Sequence, residues 1–165
     1  MKTGIFKLTE KDRQAFTEHL LRLSPEDRRM RFFFVASDHF IERMASGQAM
    51  HTLHGYFDQG RLVATSQFVP AGERCVEFAV TVDIERRGRG LAKTLLDFEL
   101  ETPQGESARE LLIRYLGENR AMAAVHRGMP STREATAGEI DVTVDLKRLR
   151  SERRRALTAV CGAEL

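Results

Sequence analysis

Apolar residues recur along this chain at two spacings, and the changes between them outline its elements. Residues 4–8 form a short apolar-rich run that predicts a first strand. Phe16, Leu20 and Leu23 then recur at helical spacing behind Thr9, a capping residue with Asp12 three positions on. Ser24-Pro25-Glu26-Asp27 predicts a second helix start: a capping Ser, Pro at the first helical position, then acids near the positive helix end. Helical or turn-like structure is expected to run to about Ser46, with Gly47 as its stop. Residues 51–57 and 61–69 flank Asp58-Gln59-Gly60 and predict a hairpin. A turn at Pro70-Ala71-Gly72 leads into residues 74–84. There Val76, Phe78, Val80, Val82 and Ile84 alternate with Cys75, Glu77, Ala79, Thr81 and Asp83, a strand with one apolar face.

A glycine-rich turn at 87–90 opens a helix over 91–100, with Leu91, Leu95 and Phe98 as its buried stripe. Residues 111–116 predict a strand, 118–127 a helix, 140–146 an alternating strand and 148–160 a terminal helix. This order predicts an α/β (α+β) fold in which helices pack on a mixed sheet. With 165 residues, one domain spanning 1–165 is expected.

Composition narrows the function classes. A net charge of +2 is too small for a dedicated nucleic-acid binder and argues against that partner. Cys75 and Cys161 form no C-x-x-C pair, so neither a zinc site nor a disulfide framework is indicated, and no metal is expected. An apolar leader is missing at residues 1–6 and no apolar run is long enough to span a bilayer. A cytoplasmic protein with no membrane partner is therefore expected. The basic run at 147–155 reads first as a solvated helix face.

The chemistry lies in Val82-Asp83-Ile84-Glu85-Arg86-Arg87-Gly88-Arg89-Gly90-Leu91-Ala92, where a strand ends, a glycine loop turns and a helix begins. Such a turn aims several backbone N–H groups at one point, and the helix end adds partial positive charge, which together suit a phosphate. A P-loop fails because Arg87 and Ala92 stand where its glycines belong; a dinucleotide fingerprint fails because Lys93 takes the third glycine position.

The pattern that holds is [RQ]-x-x-G-x-[GA], as Arg87-Gly88-Arg89-Gly90-Leu91-Ala92, and it resembles the acyl-CoA pyrophosphate loop of the GNAT superfamily of N-acetyltransferases. Leu116-Gly117-Glu118-Asn119-Arg120-Ala121-Met122 resembles the family's second block, and residues 28–34 resemble a helix of bacterial protein-lysine acetyltransferases. The chain departs from the family at Arg127-Gly128-Met129-Pro130, where Gly-Phe is usual.

The resemblance implies a mostly antiparallel central sheet with helices on both faces. It also implies transfer of an acetyl group from acetyl-CoA, as co-substrate, to a primary amine attacking directly in a ternary complex. The acceptor is a small molecule or a protein lysine. By the same resemblance, Arg87, Gly88, Arg89, Gly90, Leu91 and Ala92 hold the pyrophosphate, Val82 and Ile84 pair with the pantetheine arm, and Asn119 lies beside it. Glu77 is the expected general base and His126 the expected acid, with Tyr115 as a second acid candidate. For Glu77 a salt bridge to a neighbouring strand competes with catalysis, and for Asn119 a helix N-cap competes with cofactor contact. Asp83 is expected to orient the loop, while His19 and His39 look incidental. A homodimer is compatible with the family, where dimers are common. The competing reading is a non-catalytic acyl-CoA-binding sensor or docking module.

Overall fold

The computed structural model describes residues 1–161, with side chains to residue 159. It is a mixed α/β fold built on a seven-stranded, mostly antiparallel sheet of order β1-β2-β3-β4-β5-β7-β6. Two compact units divide the chain, residues 1–69 with 78–106 and residues 70–77 with 107–165.

In the first unit, β1 (Gly4–Lys7) pairs antiparallel with β2 (His54–Asp58), which pairs antiparallel with β3 (Arg61–Gly72). Between β1 and β2 run α1 (Arg13–Leu21), α2 (Pro25–Phe32) and α3 (Asp38–Gly47). The expected caps form. Thr9 and Asp12 close a capping box before α1. Ser24 caps α2, accepting from the backbone N–H of Asp27 at 3.1 Å.

The helical or turn-like stretch expected to about Ser46 ends at Gly47 and is made of two helices. Phe33 adopts a left-handed conformation (φ 67°) that ends α2, and Ser37 caps a separate α3 by accepting from the N–H of Phe40. Leu8, Phe16, Leu20, Leu23, Ile41 and Phe57 are among the buried residues of this unit's core.

Strand β3 runs through Pro70 to Gly72, so the turn falls at residues 73–74 rather than at 70–72. Strand β4 (Cys75–Val82) changes its buried face along its length. Val76 and Phe78 are buried, but beyond them Thr81 and Asp83 are buried instead, and Ile84 is 69% exposed. A one-residue change of phase sends every later side chain to the opposite face. The expected apolar face over 76–84 therefore stops at Phe78, and a polar pair enters the interior. Helix α4 (Leu91–Leu100) buries Leu95, Leu96, Glu99 and Leu100, whereas Phe98 is on its exposed side.

In the second unit, residues 75–77 of β4 pair parallel with β5 (Glu110–Leu116), the register running from Cys75↔Glu110 to Glu77↔Leu112. Strand β5 pairs antiparallel with β7 (Glu139–Asp145), and β7 with β6 (Ser131–Thr136). The periodicity does not announce β6, because all six of its residues are polar or small and exposed. Its turn to β7 uses Ala137 (φ 51°) and Gly138 (φ 86°), the two positive φ values of a tight hairpin. Leu111, Ile113, Ile140, Val142 and Val144 share one buried face. Leu146 and Leu149 of α7 (Leu146–Cys161) are buried too, while residues 153–159 of that helix are exposed. The basic run is thus a solvated helix face, with Arg148 paired to Glu152 at 2.8 Å. The short α5 (Pro103–Ser107) and α6 (Arg120–Val125) complete the described elements.

Candidate functional site

The glycine loop lies wholly in the first unit. Strand β4 ends at Val82, and Ile84–Arg86 form a single 3-10 turn. Ile84 is thus in a turn rather than extended, and its carbonyl already accepts from the N–H of Arg87 at 3.3 Å. Pairing with an extended ligand chain would have to end at Val82. Val82 itself accepts at its carbonyl from Nε and Nη2 of Arg87, each at 3.2 Å.

Gly90 is the residue before α4. It takes φ 75°, no side chain caps the helix, and a Cβ there would meet nothing within 4 Å. The first N–H groups of a helix have no partner within it, and no side chain at the cap position takes up those of α4. Gly88 is also left-handed (φ 70°) and equally open. The residues present therefore fit a pyrophosphate: a close backbone approach, an uncapped helix end and nearby guanidinium groups. Of those groups, Arg89 is exposed and makes no hydrogen bond or ion pair among the described residues. Arg86 is held by Asp58 at 2.5 Å and Arg87 by Asp27 at 2.8 Å. Lys93, inside the helix, is held by Asp97.

Behind the loop is a buried polar chain that the sequence did not reveal. Asp83 is 5% exposed and His19 fully buried. Oδ1 of Asp83 lies 2.8 Å from Nδ1 of His19, and Nε2 of His19 lies 2.7 Å from Oγ1 of Thr81. Thr81 is in turn 2.7 Å from Oγ1 of Thr65. Arg22 and Arg61 both reach Oδ2 of Asp83. Burial raises the pKa of the Asp83 carboxyl, but His19 and Arg22 outweigh it and leave the carboxyl below its ordinary value. Burial holds the His19 imidazole below its ordinary value, against the pull of Asp83 and with the help of Arg22 and Arg61. His19 is not incidental, and Asp83 anchors the strand end to α1. The only sequence signal was the phase change along β4, which alternation alone conceals.

In the second unit, Glu77 is half-buried and lies 3.9 Å from Arg114, which also bonds Asp141 at 3.1 Å. Asn119 caps α6, its Oδ1 accepting from the N–H of Met122 at 3.1 Å. Nε2 of His126 is 3.0 Å from the hydroxyl of Tyr115, which brings the two acid candidates together. Burial lowers the pKa of His126, and Arg133 acts in the same direction. Cys75 is half-buried, and burial, Glu110 and Glu77 push its thiol upward, so it is no ready nucleophile. The Cys161 side chain lies outside the described residues. Among the described residues no group of His, Cys, Asp and Glu could hold a metal ion, and no helix is long and apolar enough to cross a membrane.

This architecture is the GNAT fold. The chain is similar to the GNAT domain of S. lividans PAT, with 20% identity over 86% of this chain and 89% of that one, at a TM-score of 0.70. It is similar to yncA from Salmonella typhimurium, solved with its cofactor acetyl-CoA, with 13% identity over 88% and 95% and a TM-score of 0.65. The diaminobutyrate acetyltransferase EctA from Paenibacillus lautus, in complex with L-2,4-diaminobutyric acid and coenzyme A, shares 15% identity over 87% and 96%, at a TM-score of 0.62. No family model matches the sequence, and no curated protein resembles it significantly in sequence.

Proposed function

We propose that this chain is an acyl-CoA-dependent N-acetyltransferase that moves an acetyl group to a primary amine. The observation that carries this reading is the loop at 87–92, with two open left-handed glycines before the uncapped end of α4. Acetyl-CoA supplies the acetyl group as a thioester, already activated toward an amine. The chain's residues then have three tasks: hold the pyrophosphate, position the amine, and take its proton. Backbone N–H groups of the loop and Arg89 serve the first. Arg87 joins them when its ion pair with Asp27 opens. Glu77 and His126 remain the acid–base candidates that the resemblance to the family supplies, with Tyr115 of the preceding strand as a second acid candidate.

The fold is shared with proteins solved with acetyl-CoA and with coenzyme A, and that supports the cofactor class. Acceptors of two kinds fit the reading, a small amine or a protein lysine. Isothermal titration with acetyl-CoA, with CoA and ATP as controls, tests it. Saturable binding of acetyl-CoA at one site, unmatched by ATP, is expected, followed by amine-dependent release of free thiol. Binding without thiol release for any amine would favour the sensor reading. No binding would remove both.

A further inference from the structure

The outer half of α7 and one face of the second unit's sheet carry opposite charge, and both lie open to solvent. Six of the chain's 26 Lys and Arg residues fall in α7, with only one of its 24 Asp and Glu residues. Residues 1–145 are slightly acidic, with 20 basic and 22 acidic side chains. Leu146 and Leu149 are buried and fix the start of the helix. Leu157 continues their stripe at helical spacing but is 67% exposed, and every residue over 153–159 is exposed. Arg153 and Arg154, four and three positions before Leu157, flank it on the same side. The helix thus runs on past the core that holds its start.

The strand registers define the sheet face. Glu77 of β4 stands beside Leu112 of β5, and on the same side of β5 lie Glu110, Arg114 and Leu116. Across β7 and β6 this side carries Asp145, Asp141, Glu139 and Glu134. None of these residues is buried. Six carboxylates thus share the face with one cation, Arg114. Glu110 is directly opposite Asp145, and Glu134 is directly opposite Asp141. Like charges so placed destabilise a sheet on its own. Leu112 and Leu116, both half-buried, add an apolar strip along β5.

We propose that a second copy of this chain covers both surfaces, the outer half of α7 of each copy lying on the acidic sheet face of the other. A nucleic acid would suit the helix and leave the sheet face open, and a cationic partner would do the reverse. A second copy satisfies both. Two α7 helices repel each other and two acidic faces do the same, so only the crossed arrangement joins opposite charges. Guanidinium groups match carboxylates with paired hydrogen bonds, and Leu157 meets the strip of Leu112 and Leu116. Because each copy gives a helix and receives one, the contact closes as a two-fold dimer. This inference does not rest on the acetyltransferase reading.

The test measures mass in solution by light scattering during gel filtration, for wild type and two charge reversals. One variant combines Arg153→Glu with Arg154→Glu, the other Glu134→Lys with Glu139→Lys. Neither touches Glu77 or the loop at 87–92, and far-ultraviolet spectra check that both fold. Wild type is expected at twice the chain's mass in dilute buffer, moving toward monomer at about 1 M salt, where the screening length falls to about 3 Å. Each variant alone is expected to be monomeric. Mixed one to one, the two should regain the dimer mass, because each helix then meets a face of opposite charge. Leu157→Ser should weaken the wild-type dimer at least about tenfold, a reading that stands even if a reversal fails to fold. A wild type that stays monomeric would overturn the proposal, as would mass that grows beyond two copies. A dimer that survives both reversals would be held elsewhere and would overturn it too. Binding of a duplex oligonucleotide by a monomeric wild type, lost on Arg153→Glu with Arg154→Glu, would give α7 to nucleic acid instead.

Discussion

Nδ1 of His19 and Oδ1 of Asp83 are 2.8 Å apart although 64 positions separate them in the chain. This contact ties α1 to the end of β4, immediately before the glycine loop. Asp83 also holds Arg22 and Arg61, so one carboxylate fixes the helix, the neighbouring strand and the loop's entry.

Burial of His19, which outweighs the pull of Asp83, makes stability depend on acid. The folded state holds the His19 pKa below 6.5, so the unfolded chain binds a proton first as pH falls through that value. His19's contribution is complete above pH 6.5 and is lost below it. Asp83, also depressed, acts in the same direction, with its loss beginning below its ordinary 3.8. Urea midpoints should fall between pH 7.5 and 5.5, and less so in His19→Gln. An equal fall in that variant would assign the acid sensitivity elsewhere, His126 being the next group to test.

Asp83→Ala strands a buried imidazole and removes the partner of two guanidinium groups. Breaking a buried pair from one side costs about 3 kcal/mol, or roughly 6–12 °C in Tm for a chain of this size. Thermal denaturation followed by circular dichroism reads this. A change of only a degree or two would show that solvent replaces the contact.

Gly90→Val places a β-branched residue at φ 75°, where such side chains are strained by about 1–2 kcal/mol, and projects it into the space assigned to the pyrophosphate. Acetyl-CoA affinity should fall at least about tenfold, while the fold, whose core is elsewhere, keeps its far-ultraviolet spectrum. Unchanged affinity in calorimetry would move the cofactor away from this loop.

Asp27→Asn removes the carboxylate that holds Arg87. A partly exposed pair of this kind contributes about 0.2–1 kcal/mol, so releasing Arg87 to a phosphate should tighten acetyl-CoA binding by about threefold. Weaker binding would mean that Asp27 positions Arg87 rather than competing for it.

Glu77→Gln separates two roles. If Glu77 takes part in proton transfer, turnover near neutral pH should drop by about 10²-fold with acetyl-CoA affinity nearly intact. If it serves only Arg114, turnover should be preserved and stability change by less than about 1 kcal/mol. Initial rates and melting temperatures on one preparation distinguish the two.

Most helices and strands were legible because their signals are local. Ser24-Pro25 marks a helix start wherever it occurs, and the glycine turn before Leu91 opens α4 at the expected residue. Strand β6 was not legible, because an exposed strand needs no apolar alternation and takes its conformation from pairing with β7. The end of β4 was misread for a related reason. Period-two alternation assumes an unbroken pleat, and the change of phase after Phe78 buries Thr81 and Asp83 in place of Val82 and Ile84.

The sequence by itself determined the order of most elements, the caps before α1 and α2, the loop at 87–92 and the fold class. Each depends on neighbours a few positions apart, whose spacing the chain fixes covalently. Only the tertiary structure decided that His19, Thr65, Thr81 and Asp83 form one connected chain. It also brought Tyr115 to His126. None of these side chains is unusual where it stands in the sequence. Their partners are set by the path of the backbone through the fold, and buried polar groups must find hydrogen-bond partners wherever that path places them.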